Sequence, residues 1–211
     1  DSAFPSTACH LQRTLGAGSV MAFDLSASCS GFLYGLSMAD AMLRSGHIRS
    51  CLVVAAEVKS SSLNLADKET AVLFGDGAGA VVMVQEESVR PEAPGILGVR
   101  LYAEGAGHGL ITIPAGGSRK PSGAETVRAK DHLLRMRGSA VFRAAVRHLE
   151  HAIVDVLKEF GVSAADVTRL IAHQANARIL EQLRRRLKLS QEAIYSVIER
   201  YGNTSSASLP I

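Results

Sequence analysis

Short buried strands and amphipathic helices alternate along this 211-residue chain, and the alternation predicts an α/β fold of packed layers. Three observations carry that expectation. Continuous apolar runs such as Leu52-Val53-Val54-Ala55-Ala56 have the length of strands buried on both faces. Longer stretches repeat their apolar residues at helical spacing. Hydrophobic residues make up 47% of the chain, enough for a substantial core and far from the composition of a disordered segment.

Residues 19–25, around Val20-Met21-Ala22-Phe23, are expected to form the first strand. Residues 30–45 read as a buried helix, with Phe32, Leu33, Leu36, Ala39 and Leu43 recurring and Gly46 as its stop. Residues 51–56 and 78–84 read as two further apolar strands. The Pro-containing stretch 86–94 is the best boundary, dividing the chain into units 1–94 and 95–211, with residues 95–102 opening the second as a strand. Residues 115–132 read as a long polar loop, the kind that serves function or moves. A strong amphipathic helix follows over 139–160, carrying Phe142, Val146, Leu149, Ile153 and Val156 on one side and stopped by Gly161. Ser163 and Asp166 resemble a capping pair. Residues 170–172 read as a short strand. Residues 175–187 read as a helix with Ile179, Leu180, Leu183 and Leu187 inward and Arg178, Arg184, Arg185 and Arg186 mostly outward.

Composition narrows the function. The net charge of +3 comes without a basic stretch interleaved with aromatics, so nucleic acid is not an expected partner. No apolar run reaches the length of a membrane span, and the first residues lack the pattern of a signal peptide. Cys9, Cys29 and Cys51 form neither an even set nor a CxxC pair, which favours a reducing, cytoplasmic setting and leaves a nucleophile to be sought.

Cys29 stands where the first predicted strand turns into a helix, in Ser26-Ala27-Ser28-Cys29-Ser30-Gly31. A helix N-terminus favours a thiolate and supplies N–H groups for an oxyanion. By position alone the residue fits a buried small hydrophobe equally well. His173 follows a short apolar strand in His173-Gln174-Ala175-Asn176, and Asn203 lies in Gly202-Asn203-Thr204-Ser205. Each alone is more often structural. A Cys-His-Asn trio also suits a cysteine protease, although the local cysteine signatures of papain-like and caspase-like enzymes are absent.

Five segments taken in order resemble one family. Pro5-Ser6-Thr7-Ala8-Cys9, the Cys29 segment, Phe74-Gly75-Asp76-Gly77-Ala78-Gly79-Ala80, His173-Gln174-Ala175-Asn176 and Gly202-Asn203-Thr204-Ser205 are similar to the successive signatures of β-ketoacyl-acyl carrier protein synthase III. The resemblance implies a thiolase-like layered αβαβα fold of two pseudo-duplicated halves, both incomplete in this chain, whose two ends read as cuts. It implies that Cys29 takes an acyl group from a short acyl-CoA. His173 and Asn203 would then stabilise the enolate formed when malonyl-acyl carrier protein loses carbon dioxide. It further implies Phe74, Ser139 and Phe142 along the acyl and pantetheine channel, and Lys68 where relatives carry an adenine-stacking Arg. Arg178, Arg185 and Arg186 match positions that dock the acidic carrier protein, the alternative being a solvated helix face. The Gly75-Asp76-Gly77 stretch lacks the Lys-Ser/Thr of a phosphate-binding loop and reads as a packed turn. The implied enzyme is a cytoplasmic homodimer in fatty acid synthesis, with no cofactor beyond its thioester substrates. A polyketide-priming or ester-forming transferase of the same fold, and a noncatalytic scaffold, are the other readings.

Overall fold

The computed structural model describes residues 3–86 and 95–211. Its first helix, α1 (Thr7–Leu15), begins against the Asp24 carboxylate. Asp24 accepts the Thr7 and Ala8 N–H groups, both at 2.8 Å. These are donors that a helix start leaves without a partner inside the helix. The same contact ties the first helix to the segment that leads into Cys29.

Residues 19–25 form no strand, contrary to the sequence expectation, and Val20, Met21 and Phe23 are exposed. Apolar content marks a segment able to join a sheet, but a strand also needs a hydrogen-bonded neighbour, and no described strand pairs with this one. A 3₁₀ turn over Ser28–Ser30 then feeds helix α2 (Gly31–Arg44), which ends where Gly46 adopts φ 73°.

Strands β1 (Ser50–Glu57) and β2 (Gly77–Val84) pair antiparallel, with Val53 opposite Val81 and Ala55 opposite Gly79. Their apolar runs suggest burial on both faces, yet burial alternates. Val53 and Ala55 pack with Phe32 and Ala39 of α2 and with the fully buried Ala207. Leu52, Val54, Val82 and Val84 face outward and are exposed. The boundary expected over 86–94 lies almost wholly outside the described residues. Residues 95–102 are irregular rather than a strand and are held by side chains. Arg44 donates to the Ile96 carbonyl at 2.7 Å, and Tyr102 donates to Asp155 at 3.1 Å.

Strand β3 (Ile111–Thr112) pairs with β4 (Arg135–Met136). The expected loop 115–132 instead contains helix α3 (Ala124–Arg128). Its polar sequence hides an ordering device. The buried Asp131 carboxylate accepts from Lys120 at 2.6 Å and also from Arg135, so two cations anchor both ends of the stretch. Helix α4 (Gly138–Glu159) follows, and Gly161 with φ 64° stands just beyond its end. At residues 163–166 the Ser163 hydroxyl accepts from the Ala165 N–H, without help from Asp166.

Residues 170–172 make a single bridge, Leu170 to Ile194, rather than a strand. Helix α5 (Ala177–Arg186) begins two residues later than expected because the Asn176 side chain caps it, accepting the Arg178 N–H at 2.9 Å. Val146 of α4 and Ile179, Leu180 and Leu183 of α5 form the second core, with Leu183 fully buried. A one-turn helix, α6 (Ile198–Tyr201), leads to Gly202 and a closing 3₁₀ turn over Ser205–Ser208.

Candidate active site

Cys29 sits in the 3₁₀ turn immediately before α2, as its sequence position implied. The residue before it, Ser28, has φ 48°, a left-handed conformation that non-glycine residues seldom adopt. Ser205 across the site is left-handed too, with φ 54°. Its hydroxyl donates to Cys29 Sγ at 3.5 Å. Strained backbone on both sides of one thiol is the kind of arrangement found at reactive centres. Burial pushes the Cys51 thiol pKa up, which lowers the share of that thiol present as thiolate.

Asn203 reaches the same place through its backbone. Its N–H donates to the Leu73 carbonyl at 2.8 Å, and its own carbonyl accepts from the Gly75 N–H at 3.0 Å. That bridge sets Phe74 beside Asn203. Gly75 is required for it, since a Cβ there would lie 2.1 Å from the Tyr201 carbonyl oxygen. Gly202 makes the turn with φ 66° and ψ −158°, a region essentially reserved for glycine. The Asn203 side-chain oxygen accepts the Ser205 N–H at 2.9 Å. Its NH₂ group is thereby left to donate elsewhere.

His173 is held by its neighbour. Gln174 is fully buried, and its amide donates to the Ala172 and Tyr195 carbonyls while accepting the Val197 N–H. This clamp fixes the segment that carries His173. The His173 Nδ1 lies 2.7 Å from the Ser208 hydroxyl. Burial drives the imidazole pKa down to about 4, against smaller opposing effects of the Ser205 carbonyl and the Glu57 charge. The ring is therefore neutral near pH 7. Glu57 accepts from the Ser206 hydroxyl at 2.6 Å and pairs with Lys59 at 2.7 Å. Its burial acts to raise its pKa, but these hydrogen bonds outweigh that and keep it below the usual value.

Cys29, His173 and Asn203 line one cavity of about 950 Å³. Phe74, Ser139, Phe142 and Arg178 line it as well, whereas Lys68, Arg185 and Arg186 do not. Arg185 is held by Glu181 at 2.5 Å, and Arg186 by Glu150 of α4 at 2.6 Å. Arg178 has no ion pair among the described residues. Sequence reasoning passed over Lys59, which also lines the cavity, and Glu57, Gln174, Ser205, Ser206 and Ser208, which organise it. The available signal was the run Thr204-Ser205-Ser206-Ala207-Ser208. A hydroxyl-rich loop is ordinarily solvated, yet every member of this one is buried.

The family model of 3-oxoacyl-[acyl-carrier-protein (ACP)] synthase III matches residues 23–105, and that of its C-terminal part matches residues 157–211. The chain is 46% identical over its whole length to a curated relative of that name from Caldanaerobacter subterraneus subsp. tengcongensis. The chain belongs to the 3-oxoacyl-[acyl-carrier-protein] synthase III family. It spans 62% of that relative's length. The crystal structure of the synthase III from Pseudomonas aeruginosa superposes with a TM-score of 0.89 at 35% identity, covering 100% of this chain and 63% of that one. A priming β-ketosynthase of a polyketide biosynthetic pathway superposes with a TM-score of 0.86 at 34% identity, covering 99% of this chain and 60% of that one. The fold is accordingly α/β and thiolase-like, as the synthase III resemblance implied. Within the synthase III family matches, Cys29, Phe74, His173 and Asn203 all fall inside the matched residues, while Ser139 and Phe142 fall between the two models.

Proposed function

We propose that the protein carrying this chain condenses a short acyl-CoA with malonyl-acyl carrier protein to begin fatty acid synthesis. The observation that carries the proposal is the convergence of Cys29, His173 and Asn203 on one cavity from three distant parts of the sequence. In the first half-reaction the Cys29 sulfur attacks the acyl thioester carbon, and the CoA thiolate leaves with a proton. In the second, malonyl thioester loses carbon dioxide, and the electrons of the broken bond form an enolate. His173 and Asn203 hydrogen-bond the enolate oxygen. The enolate carbon then attacks the acyl-Cys29 carbonyl and expels the Cys29 sulfur. A neutral imidazole suits this chemistry, because a charged one would tend to protonate the carbanion. Losing one such donor costs about 2.7–4 kcal/mol in the transition state.

Phe74 and Phe142 would bound the acyl chain and Ser139 the pantetheine arm, with Lys68 contacting CoA outside the cavity. The exposed Arg178 at the cavity edge would meet the acidic carrier protein. A homodimeric, cytoplasmic enzyme that needs no cofactor beyond its thioester substrates is part of the same reading. The superposition on a priming β-ketosynthase favours a second one, in which the product starts a polyketide instead. Radiolabelled acetyl-CoA tests the proposal: label should map to Cys29 and to neither Cys9 nor Cys51. Label that survives Cys29→Ala would end it. Chain-length analysis of products made with purified carrier proteins separates the two pathways.

A further inference from the structure

Lys59 lines the cavity, and neither half-reaction proposed above uses it. Strand β1 ends at Glu57, opposite Gly77, and Asp76 accepts the Ser60 N–H at 2.8 Å and the Ser60 hydroxyl at 2.5 Å. The chain on both sides of Lys59 is thereby held to the segment that follows Phe74. Toward the nucleophile, Lys59 Nζ lies 2.7 Å from one Glu57 carboxylate oxygen, and the other accepts the Ser206 hydroxyl at 2.6 Å. The residue before Ser206 is Ser205, whose hydroxyl donates to Cys29 Sγ at 3.5 Å. The lysine thus stands on the wall that carries Phe74, linked to the thiol through Glu57 and the 205–206 turn.

Glu57 does not exhaust this ammonium. The Lys59 side chain is 29% exposed against 16% for Glu57, and Lys59 lines the cavity while Glu57 does not. Among the described residues Glu57 is its one ion-pair partner, and an ammonium has further N–H donors to give. The wall around it is apolar. Leu73 and Phe74 belong to it, as does Leu134, whose N–H donates to the Ser62 carbonyl of the lysine's own turn at 2.8 Å. An acyl chain that is apolar to its end would strip water from the Lys59 donors and return nothing, which is costly. An acyl chain with an oxygen at that place restores the hydrogen bonds it displaces.

We propose that Lys59 is a specificity-determining residue that selects acyl-CoAs whose acyl group carries an oxygen acceptor beyond the thioester, a hydroxyl or a carboxylate. The inference rests on the condensing reaction proposed above and names its first substrate more closely. The chemistry is unaltered: the Cys29 sulfur takes the acyl group, and CoA leaves as its thiol with the Cys29 proton. Lys59 donates to the distal oxygen and exchanges no proton. Glu57 beside it and Glu69 on the cavity wall weigh against an anionic end, whereas Arg143 and Arg178 on the same cavity weigh for one. The hydroxyl and the carboxylate are therefore compared directly.

The test measures acylation of Cys29 in the intact protein by butyryl-CoA, hydroxybutyryl-CoA with the hydroxyl on the last carbon, and succinyl-CoA, which share one chain length. Acetyl-CoA serves as the control. At least one of the two oxygen-bearing groups should exceed butyryl in kcat/KM by on the order of tenfold, the effect of one hydrogen bond to a charged group. Which of the two leads tells whether the favoured end is neutral or charged. Lys59→Met, which keeps the length and loses the donors, should erase the preference by slowing the oxygen-bearing groups more than butyryl. Lys59→Gln, which keeps a donor, should retain part of it. A lysine that only neutralises Glu57 would give a Lys59→Met protein slowed alike with every acyl-CoA, and that result would overturn the proposal. Should Lys59→Met fail to fold, the preferences of the unaltered protein and of Lys59→Gln decide it. Acetyl label on Cys29 with butyryl accepted as well as the other two ends this proposal alone. No label from any acyl-CoA ends the condensing-enzyme reading and this proposal with it.

Discussion

Lowering the pH should destabilise this protein through His173, and the size of the effect follows from its burial. The ring has an ordinary pKa of 6.5 and a folded value of about 4. The unfolded chain therefore binds a proton below pH 6.5 that the folded chain still refuses. The stability associated with the neutral ring is fully present above pH 6.5 and is lost as pH falls toward 4. The gap amounts to about 3 kcal/mol in all, of which about 2 kcal/mol is gone by pH 5. His173→Gln keeps a polar side chain but cannot titrate there, so its stability should fall less over the same range. Urea unfolding of both proteins at about pH 7 and pH 5 measures the difference, because the other histidines are common to the two. Proton NMR titration of the ring gives its pKa directly. Glu57→Gln should push that pKa lower still, since the Glu57 charge opposes the effect of burial. A His173 that titrates near 6.5, or equal pH dependence in the two proteins, would refute the reasoning.

Leu183→Ala removes a fully buried side chain from the core between α4 and α5, and should cost about 2–5 kcal/mol in urea unfolding. Gly75→Ala places a Cβ against the Tyr201 carbonyl and should cost about 1–3 kcal/mol, with a loss of the condensation step as Asn203 shifts. Arg178→Glu should raise the Michaelis constant for malonyl-acyl carrier protein, an effect that shrinks with salt, and leave acylation from CoA unchanged. Arg186→Glu should do much less, because Arg186 is occupied by Glu150; equal effects of the two would remove the docking role from Arg178.

What the sequence revealed and what it hid follow one division. Helices α2, α4 and α5 and strands β1 and β2 were legible because each carries its own periodic signal or apolar run, and Gly46 and Gly161 marked helix ends. Residues 19–25 and 95–102 carried an apolar signal too, but strand formation depends on a partner that no local pattern names. The order in 115–132 was hidden for a related reason. Lys120, Asp131 and Arg135 read as polar loop residues until the fold brings them together. The Asn176 cap shifted the start of α5 although Asn is a strong capping residue, because the apolar pattern began earlier. At the site, the residue types of Cys29, His173 and Asn203 marked them as candidates, and the three line one cavity. Gln174, Glu57 and the serines carried no such mark, since their roles lie in hydrogen bonds to segments far away in the chain.

Those serines show why the site cannot be separated from the fold. Residues 202–208 touch each of the three candidate catalytic side chains: Asn203 belongs to them, Ser205 reaches Cys29, and Ser208 reaches His173. The same seven residues bury Ala207 against the inner face of β1 and β2 and bind Glu57 through Ser206. A perturbation of the sheet core is thus transmitted to all three groups together rather than to one. Backbone stitching at Leu73 and Gly75 adds the cavity wall, through Phe74, to the same rigid unit. In the proposed reaction, preorganisation of this kind would let a neutral imidazole and an amide act as donors, because their positions would be fixed before the enolate forms.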